Sequence, residues 1–342
     1  MNQPAPPENS SDASDKGRAP AGGLRAWLPL FRIPNVFTAM ADIAAGFVFV
    51  RGSLSPAPVF FALLAASSLM YIAGMALNDV YDFAQDLRQR PGRPLPSGRI
   101  GRRAASFCGH VLLLTGLSLA WLAGYLQTGA NAAALPWRSG AVASLLAVCI
   151  VAYDAILKRT PLGPLAMGGC RFFNLLLGMS VAEQIACGDS PYVLWFQPGQ
   201  LIIAGGVGLY IAGVTWFART EARDSSRPQL AAALAVMLAG LALAAAYGSY
   251  FTRLAHFAGR DEKTIAMWQM LIVLIGFTIA RRAAMAVYEP SPANVQAAVK
   301  NAIMSLIVID AAVCLAVGPW YAVGVMALLA PTLLVGRWIY ST

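Results

Sequence analysis

Residues 57–86 read APVFFALLAASSLMYIAGMALNDVYDFAQD. The stretch from Ala57 to Leu77 carries no charge, and its length matches the roughly 20 residues a helix needs to cross a bilayer. In hydrocarbon every backbone N–H and C=O must find its partner inside the segment, which a helix provides. Apolar runs of similar length begin near Val36, Ala104, Ala141, Leu165, Leu201, Leu230, Ile265, Ala302 and Trp320. With the run at Ala57 they make ten predicted helices. The last two are separated only by Gly318-Pro319, so a count of nine stands if one segment is re-entrant. The predicted fold class is all-α, a multi-pass transmembrane helical bundle of nine or ten helices.

Composition agrees with this reading and excludes a water-soluble globule. The 342 residues are 58% hydrophobic and 12% charged, too few polar groups to cover a soluble surface of that size. Residues 1–25 are rich in Pro, Ser, Gly and Ala and are expected to form a disordered polar tail. No short apolar core with a small-residue cleavage site occurs there, so the first apolar helix is expected to be retained. Residues 26–342 read as one transmembrane domain, with no convincing repeat. The cysteines at 108, 149, 170, 187 and 314 lie in or beside apolar segments without metal-ligand spacing, which suits packing.

Charge sets the expected orientation. If the N-terminus is cytosolic, five of the 25 Lys and Arg residues (Arg51, Arg138, Arg253, Arg260, Lys263) fall on the far side and the rest on the cytosolic side. That asymmetry obeys the positive-inside rule and places both termini and the NDVYDFAQD segment at the cytosol. The net charge of +9 therefore reports topology, and no nucleic-acid partner is needed to explain it.

Where the second helix meets this basic side, three carboxylates cluster. On a continuous helix Asp79, Asp82 and Asp86 fall within an arc of roughly 60°. Two bare carboxylates about 4 Å apart repel by about 4 kcal/mol at an effective dielectric near 20, so the group calls for protons or a divalent cation. Oxygen donors without His or Cys suit Mg²⁺, which binds one or two carboxylates together with phosphate oxygens. Residues 87–103, LRQRPGRPLPSGRIGRR, follow at once with Arg88, Arg90, Arg93, Arg99, Arg102 and Arg103 in a loop stiffened by Pro. Arginine forks match phosphate oxygens. A basic loop that merely obeys topology is the plainer reading, and the adjacent aspartates argue against it.

Together, Asn78, Asp79, Asp82 and Asp86, then Arg90, Arg93-Pro94-Leu95 and Ser97-Gly98, closely resemble the first signature of the UbiA-type intramembrane prenyltransferases, N-D-x-x-D-x-x-x-D followed by R-P-x-x-S-G. The resemblance covers residues 26 to about 290. It implies a helical bundle around a membrane-open central cavity, Mg²⁺-dependent binding of a prenyl diphosphate, and prenyl transfer to an acceptor. Tyr153 and Lys158-Arg159 resemble a second family element, Y-x-x-x-x-K-R, that lies close to the diphosphate; a plain surface pair between Asp154 and Lys158 is the alternative. The family's second acidic signature corresponds to TWFARTEARDSS, residues 215–226, and is degraded. Val214 stands where relatives carry Asp, and Glu221 and Asp224 are the carboxylates left to hold a second metal among Arg219, Arg223 and Arg227. A helix cap of mixed charge is the other reading of that segment.

Further polar residues lie within apolar runs. Arg171 and Asn174, three positions apart in MGGCRFFNLLLGMS, share a helix face, and an Arg this deep is expected to face a polar cavity, where it holds diphosphate or orients the acceptor. Asn35 resembles the family's first-helix Asn, and Asp42 shares its face. His110 reads as a packing residue, and Asp310 as either a helix-bridging group or part of a pathway.

The resemblance thus implies catalytic roles for Asp79, Asp82, Tyr153 and Lys158. It implies diphosphate contacts from Asn35, Asn78, Arg90, Arg93 and Lys158, to which the place of Arg171 and Asn174 inside an apolar run adds those two, and metal contacts from Asp79, Asp82, Asp86, Glu221 and Asp224. Tyr153, Phe172 and Phe173 are candidates to shield an allylic cation. Acceptors in this family range over quinone precursors, haem, chlorophyll, sugars and other lipids. The competing classes are a UbiA-like lipid-handling or export protein without chemistry, motivated by Val214 and Ser225, and a secondary transporter, for which a rim cluster of acids is poorly placed. CDP-alcohol phosphotransferases need a D-G-x-x-A-R run that is missing.

Overall fold

The structure, a computed structural model, describes residues 23–126, 135–182, 193, 195–219, 225–246 and 262–340. Among these residues the secondary structure is helical and no strand occurs. The chain enters through a 3-10 turn at Leu24–Ala26 and a short helix α1 (Trp27–Phe31), then runs through α2 (Ile33–Arg51), α3 (Ala57–Tyr81), the short α4 (Phe83–Gln89), α5 (Arg102–Tyr125), α6 (Arg138–Ala155) and α7 (Gly163–Met179). The second half comprises α8 (Pro198–Ala218), α9 (Arg227–Ala246), α10 (Glu262–Tyr288), α11 (Pro292–Leu315), α12 (Pro319–Met326) and α13 (Leu329–Tyr340). Pro34, Pro58, Pro164, Pro198, Pro292 and Pro319 each stand in the first turn of a helix, where the missing N–H costs nothing.

Each apolar run read from the sequence is helical. Among the described residues nine segments are long and apolar enough to cross a membrane, α12 and α13 counting as one, Pro319–Gly336. The tenth run is α7, which at 17 residues is the shortest of the candidates and yet is wedged between α2, α6 and α8. Its shortness is affordable because its neighbours, rather than lipid, cover most of it. From Asn174 to Met179 every residue is buried. Of the predicted tail, residues 1–22 lie outside the described residues.

Small residues let this wall close. A Cβ added at Gly46 of α2 would lie 2.5 Å from the carbonyl oxygen of Leu175, and one at Gly178 of α7 2.7 Å from that of Ile43. These two backbones therefore touch, as they do in small-residue membrane crossings. Where side chains are larger, hydrogen bonds link the helices. The Tyr210 hydroxyl on α8 donates to the Ala302 carbonyl on α11 at 2.8 Å, and Trp268 Nε1 on α10 donates to Ala312 on α11 at 2.8 Å. Helix α11 also packs on α2, so the first and late helices meet and close the bundle.

Arg138, assigned from sequence to the far side, is 3% exposed. Its guanidinium donates to the carbonyls of Ser180, Trp195 and Ala182 at 2.5, 2.9 and 2.7 Å. These bonds fasten the start of α6 to the end of α7, where helical carbonyls lack partners. One charge of the topology count thus has a structural occupation.

Candidate active site

The carboxylates sit at a break rather than along one continuous helix. Helix α3 ends at Tyr81 and α4 begins at Phe83, with Asp82 as the junction at φ −84° and ψ −1°. The turn separates the expected common face into two directions. Asp79 and Asp86 turn to the arginine loop, where Arg93 Nη1 lies 2.7 Å from Asp86 Oδ2 and 3.5 Å from Asp79 Oδ1. Asp82 turns to the end of α6, where Lys158 Nζ lies 2.7 Å and Arg159 Nη2 3.2 Å from its Oδ1. Lys158 also donates to Asn78 Oδ1 at 3.1 Å, which unites the two sequence motifs 80 positions apart.

Arg32 is a member that sequence reading missed. It sits between α1 and α2 at φ 47° and ψ 46°, a left-handed conformation uncommon outside glycine. From that bend its Nη2 reaches Asp79 Oδ1 at 3.3 Å. The only signal was a positive charge just before the first apolar run, which topology explains equally well. Arg90, in contrast, is exposed, and its side chain makes no bond to the acids among the described residues.

Below this rim opens a cavity of about 440 Å³, within the range of small-molecule sites. Arg32, Asn35, Tyr153, Asp154, Arg171 and Asn174 line it together with apolar side chains such as Met70, Ile150, Ile211 and Leu306. Val214 and Thr215 of α8 line it too. Phe172 and Phe173 do not; they pack edge to face on each other with ring centres 5.1 Å apart, so of the expected aromatic shield only Tyr153 faces the cavity.

Arg171 and Asn174 belong to a deeper layer. Arg171 Nη1 donates to Asp42 Oδ2 at 2.7 Å and Nη2 to Thr38 Oγ1 at 2.5 Å. Asn174 Nδ2 donates to the same Asp42 oxygen at 2.7 Å and to the Ala39 carbonyl at 3.1 Å, while its Oδ1 accepts from Ser67 at 2.6 Å. At 1.5 Å of rise per residue, Ser67 is roughly 18 Å along α3 from Asp79. The layer therefore lies well inside the bundle, and Arg171 has Asp42 as its counter-charge. Asp310, fully buried on α11, faces Asp42 across the layer, and neither of its oxygens accepts a hydrogen bond from an N–H or hydroxyl donor among the described residues. His110 is exposed and bonds back to the Ser106 carbonyl at 2.7 Å, one turn away.

Glu221 and Asp224 lie outside the described residues. Arg219, just before them, donates to the Thr160 carbonyl and so ties the end of α8 to the turn that follows Lys158. Among the described residues no three His, Cys, Asp or Glu side chains converge to hold a metal ion by themselves. The donors nevertheless fit Mg²⁺ in its usual manner. They are hard carboxylate oxygens, one or two at a place, beside a cavity with cationic groups suited to phosphate.

Comparison with known proteins shows the family. The model of the UbiA prenyltransferase family matches residues 39–342. The chain belongs to that family and is an integral membrane prenyltransferase, moving a prenyl group from a prenyl diphosphate to an acceptor. It is similar to the digeranylgeranylglyceryl phosphate synthase of Ignicoccus hospitalis, 33% identical over 239 residues, which cover 66% of this chain and 72% of that one. The same-named protein of Metallosphaera sedula is 32% identical over 157 residues, 45% of this chain and 51% of that relative. Solved structures share the fold. A digeranylgeranylglyceryl phosphate synthase superposes with a TM-score of 0.57 at 18% identity, over 89% of this chain and 99% of that one. A UbiA homologue from Archaeoglobus fulgidus bound to DMAPP and Mg²⁺ gives 0.55 at 14% identity, with the same coverage.

Proposed function

We propose that the diphosphate headgroup docks at the rim formed by Asn78, Asp79, Asp82, Asp86, Arg32, Arg93 and Lys158, with its isoprenoid chain in the apolar part of the cavity. The observation that carries this reading is the clustering of three acids with Arg32, Arg93, Lys158 and Arg159, next to a cavity that Arg32 also lines. Asp79, Asp82 and Asp86 are the residues that would hold Mg²⁺, which when bound supplies positive charge to the leaving diphosphate. Glu221 and Asp224 remain candidates for a further ion.

The chain's own groups do the rest. Arg32, Arg93 and Lys158, now bonded to carboxylates, are within reach of the same space and turn their donors to phosphate oxygens, stabilising charge as the allylic C–O bond breaks. Asn35 and Tyr153 line the cavity, and the Tyr153 ring is the aromatic group of the expected shield placed to stabilise a developing allylic cation. The electron pair leaves with diphosphate, and the acceptor nucleophile closes the new bond and gives up a proton. Arg171 and Asn174, held by Asp42 and Ser67, shape the inner end where the acceptor or the prenyl tail rests. Because the relatives are named for a glycerol-phosphate lipid, a polar lipid acceptor is the first class to test.

The rim faces the cytosol in this proposal, because the basic loop and most Lys and Arg lie on its side of the bundle. In sealed membranes a Ser97→Cys protein should react with an impermeant maleimide only from the cytosolic face. Purified protein given dimethylallyl or geranyl diphosphate, Mg²⁺ and glycerol-phosphate lipid should release diphosphate, and Asp82→Ala should lower that rate at least about 100-fold. Val214 keeps a second reading in view, a protein that holds the isoprenoid without reacting. Saturable binding with no diphosphate release across the acceptor classes would favour it.

A further inference from the structure

Asp79, Asp82 and Asp86 each have a cationic partner; Asp154 has none. It stands on the last turn of α6, is 3% exposed, and lines the cavity. Among the described residues it makes no hydrogen bond and no ion pair. Lys158, four positions on and its natural partner on a helix, is turned to Asp82 and Asn78 instead. Native interiors seldom leave a buried carboxylate unpartnered, since removing that charge from water without compensation is costly. An open side toward a cavity indicates that the compensation arrives with a ligand.

The surroundings say which kind. The charges that act most strongly on Asp154 are those of Lys158, Asp82, Arg32 and Asp79, residues of the rim. An anionic headgroup there meets repulsion from a bare Asp154, and the neighbouring bases are already engaged by other acids. A divalent cation between carboxylate and phosphate removes the conflict. The same cavity also shows why such a ligand is wanted on α6. On α8, Val214 and Thr215 face it where the family pattern has an acid before the Thr, so that wall offers no carboxylate at this position.

We infer that Asp154 is a ligand for a divalent cation that bridges it to the bound diphosphate, supplying from α6 a carboxylate that α8 lacks. This rests on the prenyl-diphosphate reading above. The test measures Mn²⁺ binding to the purified full chain by electron paramagnetic resonance, with and without inorganic pyrophosphate. With pyrophosphate, Asp154→Asn should bind one Mn²⁺ fewer than the unaltered protein or bind it at least tenfold more weakly, and Asp154→Glu should retain it. Asp154→Cys, made with Cys149→Ser and Cys170→Ser because those thiols are neighbours, should lose Mn²⁺ and gain Cd²⁺, since a thiolate prefers the softer ion. A protein that merely needed a polar side chain for folding would show no such exchange of metal preference. Unchanged Mn²⁺ binding in Asp154→Asn, or no gain of Cd²⁺ in Asp154→Cys, overturns the inference. Failure of the unaltered protein to bind Mn²⁺ with pyrophosphate overturns the diphosphate reading itself.

Discussion

Arg171 shows how a single charge is housed in the bundle. Its partner Asp42 is fully buried, and Asn174 donates to the same oxygen, so the layer forms one network. Replacing Arg171 by Met leaves Asp42 with a charge and no cation. The expected cost is about 3–5 kcal/mol, read as a lower unfolding midpoint in detergent, and adding Asp42→Asn should restore much of it. Neither the pair nor its layer was legible in the sequence. Asp42 and Arg171 are 129 positions apart, and helical periodicity says which residues share a face but not which helix that face meets. The rim was more legible. Its acids and Arg93 lie within one short stretch, so local spacing was enough to predict a cluster, although the break at Asp82 that divides it was not visible.

At the scale of elements, the helices were readable because lipid imposes long uncharged runs, and each run quoted from the sequence forms a helix. The interruption at Arg32 escaped notice, since nothing in Phe31-Arg32-Ile33 requires a left-handed residue. Close packing of α2 on α7 was equally hidden, because glycines are frequent along the whole chain. It makes a sharp prediction. Gly178→Ala places a methyl 2.7 Å from the Ile43 carbonyl, a backbone atom that cannot rotate away. Destabilisation of about 1–3 kcal/mol is expected from such overpacking. Gly205→Ala, whose nearest neighbour is a Leu243 methyl at 3.8 Å, should leave the unfolding midpoint nearly unchanged. Equal effects of the two would show that the crossing is not tight.

For the whole molecule, the membrane-embedded bundle brings a polar rim and an apolar cavity together, an arrangement suited to a reactant with a charged head and an oily tail. The sites on α3, α6 and α7 come from separate spans and meet because these helices pack directly on one another, with α11 closing on α2. One consequence concerns the resting enzyme. Since Arg32, Arg93, Lys158 and Arg159 already neutralise the acids at the rim, stripping divalent ions with EDTA should silence turnover while leaving the melting temperature within a degree or two. Such a catalyst idles in an intact shape, needing its inorganic helper to work but not to stand.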